Sequence, residues 1–449
     1  MSDFEAVVTH VADRVTPDAA ERERLRDAVD TLTERVHDAL ADLPVEGDVV
    51  QVGSTARGTW LADDRDIDLF VRFPPDLPRA ELERYGLDVG RRALPEGREE
   101  YAEHPYVTGE IDGFDVDLVP CYDVADATAI QSAVDRTPFH DAYLQERLDE
   151  SIARDVRLFK AFLTGIGAYG SDLRTRGFSG YLSELLVLEY GGFEPLLRAA
   201  ADWHPPVRLD PEDHGTATFD DPLVVIDPTD PERNVAAVCA AENVARLQHY
   251  ARDLLTDPRE SLFVPSDPDP LDADAVRDHL DRRGTTPVAV AFETPDLVDD
   301  QLYPQLRKSL DGIAGELDRR GFAPLRTATF ADERAVLLVE LAVAELAAVT
   351  RHDGPPVDVR EHATGFYDTY AERDIYGPFL DGDRYAVERE REFTTPEALL
   401  ASDALFDVAL GAQIETALDD EYDLLVGDDV ATLADSFGVE LARYFDPRP

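Results

Sequence analysis

Two segments of this sequence place carboxylates at alternate positions inside an apolar run: Asp66-Ile67-Asp68-Leu69-Phe70-Val71 and Phe114-Asp115-Val116-Asp117-Leu118-Val119. Asp-x-Asp alone says little, because Asp and Glu make up 95 of 449 residues and the pattern recurs at Asp267-Pro268-Asp269 and Asp272-Ala273-Asp274. The setting separates the first two. Along a strand alternate side chains share a face, so Asp66 and Asp68 point together while Ile67, Leu69, Val71 and Phe73 enter a core. Carboxylates so placed repel each other unless a cation lies between them. If the two strands are neighbours, three carboxylates converge on one spot, the ligand set of a two-metal site. Such a site holds ions about 3.5–4 Å apart that clamp the entering and leaving oxygens of a phosphoryl transfer. The plainer alternative is that each pair faces solvent on an acidic surface.

Gly53-Ser54 precedes the first pair, between a strand and a short helix. Glycine permits a tight turn, and backbone N–H groups at a helix N-terminus suit a triphosphate. A lone Gly-Ser is common; with Arg57 one turn later and Asp-x-Asp soon after, it gains meaning. Lys160 is one of only two lysines among 43 basic residues, the other being Lys308. It borders an apolar helix face, and a planar guanidinium cannot imitate a compact ammonium against a phosphate.

The formal net charge of −52 opposes a polyanionic partner at face value, since affinity for nucleic acid comes from Lys and Arg meeting phosphates. The acidity is spread along the chain, however, and lysine is nearly absent. That balance fits a protein in concentrated salt, where the Debye length falls to about 3 Å at 1 M. Cys121 and Cys239 lack metal-ligand spacing, which argues against a disulfide framework or a zinc site. The start, Met1-Ser2-Asp3-Phe4-Glu5, has no leader character, and Glu340 and Glu345 interrupt the most apolar stretch. A cytoplasmic protein without a membrane span is expected.

The elements that would position these residues follow from pattern. Length suggests about three domains. Thr16-Pro17 is expected to open a helix whose apolar face is Leu25, Val29, Leu32, Val36, Leu40 and Leu43. Strands are expected at 49–52, 66–73 and 114–119, the last stopped by Pro120. From Ala142 the pattern turns helical: Leu144, Leu148, Ile152, Val156, Phe159 and Leu163 share a side, with further helices over 179–190 and 233–255. Prolines between 257 and 270 suggest a linker. Beyond it a strand (287–292), a helix (299–319) and a strand pair (325–330, 335–345) suggest an α+β domain. The expected division is 1–141 catalytic, 142–256 helical, 257–271 linker and 272–449 C-terminal.

Gly53-Ser54-Thr55-Ala56-Arg57-Gly58-Thr59, Asp66-Ile67-Asp68 and Asp117 together resemble the signature of the DNA polymerase β-like nucleotidyltransferases. Further segments resemble archaeal (class I) CCA-adding enzymes: Arg136-Thr137-Pro138-Phe139-His140, Lys160 with Tyr169, Arg176-Gly177-Phe178-Ser179-Gly180-Tyr181-Leu182, Asp230-Pro231-Glu232-Arg233-Asn234-Val235-Ala236, and Gly377-Pro378-Phe379-Leu380-Asp381-Gly382-Asp383-Arg384. The likeness runs from about residue 20 to 390. One departure is Asp66, where some members carry Glu; both bind a metal.

The resemblance implies an α+β protein: a polymerase β-like palm, a helical second domain and an α+β C-terminal tRNA-binding region. It implies two magnesium ions as cofactors and tRNA, CTP and ATP as substrates, with pyrophosphate released. Asp66 and Asp68 would bind both ions, and Asp117, preferred to Asp115 because it directly precedes Leu118-Val119-Pro120, the ion at the tRNA 3′-hydroxyl. Gly53, Ser54 and Arg57 would hold the triphosphate. His140, Lys160 and Tyr169 would contact the nucleotide from the helical domain, with Arg233 near the base. Without the resemblance, His140 reads equally as a boundary histidine and Tyr169 as a core aromatic. A poly(A) polymerase or oligoadenylate synthase shares the catalytic set but not the C-terminal pattern. A non-catalytic RNA-binding protein on the same scaffold is expected to have lost a carboxylate. The sequence leaves oligomeric state open, a homodimer included.

Overall fold

Pro17 separates two helices instead of opening one. α1 (Asp3–Val15) ends where the Thr16 hydroxyl donates to the Ala12 carbonyl oxygen at 2.6 Å. α2 (Ala19–Ala41) is capped by Asp18, whose carboxylate accepts from the Glu21 N–H at 2.7 Å. Thr16 was expected to be that cap, but its hydroxyl is spent closing the preceding helix, and a carboxylate at an N-terminus also favours the helix dipole. The computed structural model describes residues 3–62, 64–101 and 103–449. The chain divides into one unit of Met1–Ser266 with Pro449 and a second of Asp267–Arg448.

In the first unit, α2 is followed by β1 (Asp48–Val52), α3 (Gly53–Arg57), β2 (Asp66–Phe73), α4 (Arg79–Ala93), β3 (Arg98–Tyr101), β4 (Pro105–Ile111) and β5 (Phe114–Tyr122). The five strands form one sheet in the order β1-β2-β5-β4-β3. Among the described residues its only parallel pair is β2 with β5. Ile67, Leu69, Val71 and Phe73 of β2 and Val116 and Leu118 of β5 pack against Leu25, Leu32 and Val36 of α2 and Leu82 and Val89 of α4. The period of two then sends Asp66, Asp68, Asp115 and Asp117 to the opposite face. Pro120 lies inside β5 and does not stop it. The β4 ladder ends at Leu118, and the Tyr122 N–H, two residues on and on the same side, goes to Asp135 Oδ1 at 2.8 Å. A missing N–H at Pro120 therefore costs no ladder bond.

Next come α5 (Thr137–Gln145), α6 (Glu150–Gly165), α7 (Gly180–Tyr190), α8 (Phe193–Ala201), β6 (Val207–Leu209), β7 (Leu223–Asp227), β8 (Asp230–Asn234) and α9 (Ala241–Thr256). The helices share a core of Val156, Phe159, Phe162, Leu182, Leu186, Phe193 and Leu247, and α1 adds Val11 and Ala12 to it. That helix thus packs with the helical part, although the chain order groups it with the catalytic part. The apolar stripe through 144–163 is broken at Asp149, which caps α6 by accepting from the Ile152 N–H at 2.9 Å. Residues 233–240 are not helical: β8 runs to Asn234 and turns follow it, with the Asn234 side-chain oxygen accepting from the N–H groups of Val225 and Ala236 (both 2.9 Å). The start of the expected linker is also core, because a helical turn at Glu260–Phe263 buries Leu262 and Phe263. Two apolar residues among prolines and acids were too few to register as an element.

The second unit holds α10 (Ala273–Arg283), β9 (Thr286–Glu293), α11 (Asp299–Arg320), β10 (Pro324–Ala331), β11 (Arg334–Leu341), β12 (Val349–Pro356), α12 (Arg360–Tyr370), β13 (Tyr376–Asp381), β14 (Arg384–Glu390), α13 (Pro396–Leu400), α14 (Ala412–Asp420), β15 (Asp423–Val426) and α15 (Ala434–Phe445). Its main sheet, β10-β11-β9-β15, is antiparallel and buried on both faces. Val288, Val290 and Phe292 face α11 and α14, while Ala289, Ala291 and Leu338 face α10 and α15. A second sheet, β12-β14-β13, carries α12. Among the described residues no helix is long and apolar enough to cross a membrane.

Candidate active site

β2 and β5 run parallel in a register that sets Asp66 opposite Asp115 and Asp68 opposite Asp117. Asp66 and Asp115 are exposed, whereas Asp68 and Asp117 are half-buried. Burial, with the charges of Asp117 and Asp66 added, pushes the Asp68 carboxyl up to about 7. Burial also raises Asp117, against a hydrogen bond from Thr108, its partner on β4. Asp64 is raised by burial and by Asp66. Asp64, Asp66, Asp68 and Asp117 thus gather negative charge in one place. Hard oxygen donors under mutual repulsion fit a divalent cation. Among the described residues, however, no three such groups stand close enough as placed to hold an ion. The expected convergence is met in shared face and register, not in closure on one point.

α3 begins at Gly53, directly after the residue of β1 that pairs with Asp68. Gly53 has φ +83°. Ser54 is half-buried, and its carbonyl accepts from the Thr59 N–H at 3.0 Å. Arg57 is less free than its expected role requires, with a side chain only 8% exposed. Its Nε and Nη2 donate to Glu184 Oε2 at 2.9 and 2.8 Å, and its Nη1 donates to Asp141. Those bonds use three of its five N–H groups. Lys160 is 2% exposed, and its three N–H groups face Glu184 Oε1 (3.0 Å), the Thr59 carbonyl (3.2 Å) and the Thr59 hydroxyl (3.4 Å).

Glu184 is fully buried. Burial alone would raise its carboxyl, but Lys160 and Arg57 outweigh that and hold it below the usual range. Arg57, Lys160, Glu184 and Asp141 therefore form a neutral, buried group of two cations and two carboxylates beneath α3. Sequence reading missed Glu184, Asp141 and Thr59. The available signal was a lone acid in the apolar run Leu182-Ser183-Glu184-Leu185-Leu186-Val187, since a buried charge needs a partner. Tyr169 is largely buried, which raises its phenol, and its hydroxyl and Lys160 Nζ both lie near Gly180 at the start of α7.

α5 carries Asp141 towards that group and His140 towards another. His140 Nε2 bonds Asp227 Oδ2 at 2.7 Å, and Arg233 Nη1 donates to the same oxygen at 2.8 Å. The imidazole stacks on Tyr181, ring centroids 3.9 Å apart and 14° from parallel. Arg136 pairs with Asp230 at 3.0 Å. Burial lowers His140, against the opposing pull of Asp227; Asp227, although buried, is held well below the carboxylate range by that bond and its neighbours. Asp227 and Tyr181 were also missed, being a strand-end acid and a helix aromatic in sequence. The structure thus brings Gly53, Ser54 and Arg57 beside Asp68, Lys160 and Tyr169 behind them, and His140 and Arg233 together on Asp227.

A five-stranded sheet with paired carboxylates beside a Gly-Ser helix start is the polymerase β-like nucleotidyltransferase fold, with a helical middle part and a β-rich C-terminal region. A family model of the nucleotidyltransferase domain matches residues 33–140, one of the second domain of tRNA nucleotidyltransferase matches 154–264, and one of the C-terminal domain of the CCA-adding enzyme matches 283–427. A CCA-adding enzyme of Haloarcula marismortui is 62% identical over the whole of both chains. Those of Halorubrum lacusprofundi and Halobacterium salinarum are 63% and 61% identical, again over the whole of both chains. This chain belongs to the family of CCA-adding enzymes. Nucleotidyltransferases of this kind work with divalent metal ions, and halophilic homologues are among the relatives of this chain.

Proposed function

We propose that this chain completes the 3′ end of tRNA, adding C, C and A from CTP and ATP with release of pyrophosphate, in a cytoplasm of high salt. The observation that carries the site is the register of Asp66 and Asp68 against Asp115 and Asp117 on adjacent parallel strands, next to Gly53 and Ser54. In each addition the tRNA 3′-oxygen attacks the α-phosphorus in line as the bond to the pyrophosphate oxygen breaks. Asp66, Asp68 and Asp117 would hold two magnesium ions, which neutralise charge at the entering and leaving oxygens. Asp117, on β5, faces the acceptor hydroxyl, and Asp66 and Asp68 face the triphosphate.

Ser54 and the N–H groups of α3 bind the triphosphate. Arg57 adds its two spare N–H groups, while Glu184 and Asp141 fix its plane. Lys160, tied to Glu184 and Thr59, braces the turn that follows α3 behind the phosphates instead of acting as a freely moving ammonium, and Tyr169 lines the same side of the cleft. His140 and Arg233 face the base.

A tRNA ending at its discriminator base tests this reading. CTP alone should add two C residues, and a terminal A should follow only when ATP is present. Addition should then stop, and ATP alone should add almost nothing. One pocket discriminates by only a few kcal/mol, so fidelity of this kind needs the tRNA held fixed while its end refolds. Long A tails on an unstructured oligonucleotide would transfer the activity to the poly(A) polymerases.

A further inference from the structure

Asp227, the last residue of β7, is fully buried, and no reading of the sequence gives it a role. Its two oxygens are divided between tasks. Oδ1 accepts from the N–H (2.9 Å) and hydroxyl (2.8 Å) of Thr229 and closes the turn into β8. Oδ2 accepts from His140 Nε2 and Arg233 Nη1. Its backbone carbonyl takes His214 Nε2 at 2.9 Å, which fixes the strand end itself. One carboxylate oxygen therefore ties an imidazole of α5 to a guanidinium of β8, and the imidazole is held flat on Tyr181 of α7.

The exposure of the partners gives that arrangement a direction. Asp227 is sealed, whereas the Arg233 side chain is 36% exposed. The guanidinium is thus anchored by one N–H on a sealed carboxylate while its side chain stays partly open to solvent. A long side chain at such exposure would otherwise sample several rotamers, and ordering it on binding costs affinity. The shared oxygen removes that freedom beforehand. It also makes the position of His140 depend on that of Arg233.

We propose that Asp227 is a positioning residue that holds Arg233 and His140 as one unit for reading the incoming nucleotide, without touching the nucleotide itself. This rests on the reading that His140 and Arg233 face the base. Nucleotide affinity and the choice between CTP and ATP then depend on a buried carboxylate outside the contact set.

Asp227→Asn is the direct test. Its amide oxygen can keep the Thr229 bonds, but its NH₂ then faces two donors, and Arg233 loses its acceptor. The Michaelis constants for CTP and ATP should rise about tenfold or more, the loss expected for one hydrogen bond to a charged group. The preference for the correct nucleotide should fall by a similar factor, with kcat and the constant for tRNA changed far less. Thr229→Val, which removes only a bond to Oδ1, should lower the melting temperature and leave the nucleotide constants unchanged. Even if Asp227→Asn does not fold, His140→Ala and Arg233→Ala measured singly and together decide the matter: members of one unit should combine to much less than the product of their separate effects. Independent, multiplicative effects would overturn the proposal, as would normal nucleotide constants in Asp227→Asn. If Arg233→Ala itself leaves nucleotide affinity and choice unchanged, the reading of the cleft fails instead.

Discussion

Gly53 and Asp68 stand so close that a methyl group on the one would overlap the carboxylate of the other: a Cβ built on Gly53 would lie 2.2 Å from Asp68 Oδ2. The approach follows from strand pairing. Val52, the residue before Gly53, pairs with Asp68 across β1 and β2, and the chain turns into α3 at once. The turn that would take the triphosphate and the carboxylate that would take a cation are therefore fixed to each other by two strands, with no loop between them. Preorganisation of this kind lets a site act without rearranging at the moment of reaction.

Gly53→Ala should therefore abolish nucleotide addition while the protein still folds. The positive φ adds about 1–2 kcal/mol of strain for a residue with a side chain, and the new methyl displaces Asp68. A displacement near 1 Å is enough for a loss of about 100-fold. Single-turnover rates beside circular dichroism would check it; a folded variant with more than about a tenth of normal turnover would show that the close contact is not needed.

The Asp68 carboxyl gives a pH signature. Its ordinary value is 3.8 and the fold raises it to about 7, so between those limits the native state keeps a proton that the unfolded chain releases. Its cost to stability is absent below the lower value and complete above the upper one. In chelator-treated protein, Asp68→Asn should melt higher than the parent at pH 8, and the gap should shrink towards pH 5. Magnesium at pH 8 should raise the melting temperature of the parent and leave the variant's nearly unchanged, while the variant stays inactive. A gap of opposite sign would mean that Asp68 has another partner.

Much of the catalytic sheet was legible because its signals are local. Strand β2 falls where the alternation of Ile67, Leu69, Val71 and Phe73 put it, and that alternation alone assigns Asp66 and Asp68 to the other face. The parallel pairing with β5 is a contact across the chain, and no spacing encodes its register. The same limit hid Glu184 and Asp227, which acquire meaning only from residues distant in sequence: Arg57 for the first, His140 for the second. Small extended segments in the helical part were hidden for another reason. β8 contains Asp, Pro, Glu, Arg and Asn, with no apolar alternation, and is held by hydrogen bonds that the Asn234 side-chain oxygen accepts from the Val225 and Ala236 N–H groups.

Glu184→Gln should be among the most destabilising single substitutions in the first unit. It leaves Lys160 and Arg57 buried with one carboxylate, Asp141, between them. Breaking a buried pair by removing one partner costs about 3–5 kcal/mol, because the remaining charge is uncompensated. Adding Lys160→Met should recover part of that stability by removing the stranded ammonium, without restoring activity. Denaturant unfolding of the two variants tests the pair; if Lys160→Met made matters worse by its full separate cost, the two residues would not be coupled.

Salt acts on this protein in two opposed ways, and the composition decides between them. Screening weakens attraction in exposed ion pairs such as Arg277 with Asp274 and Arg98 with Glu100. Pairs of that kind contribute only about 0–1 kcal/mol each. Screening also weakens repulsion among the carboxylates left without a cation, and with 95 acidic residues against 43 basic ones there are many. The buried group around Glu184 is shielded from solvent and should respond little. Relief of repulsion therefore dominates, and both melting temperature and activity should rise from low salt towards molar KCl. Binding of tRNA should weaken less steeply over that range than for a basic protein, since few phosphate contacts release counterions. Melting curves and filter binding across a KCl series would measure both, and a melting temperature that fell with added KCl would overturn this account of the charge.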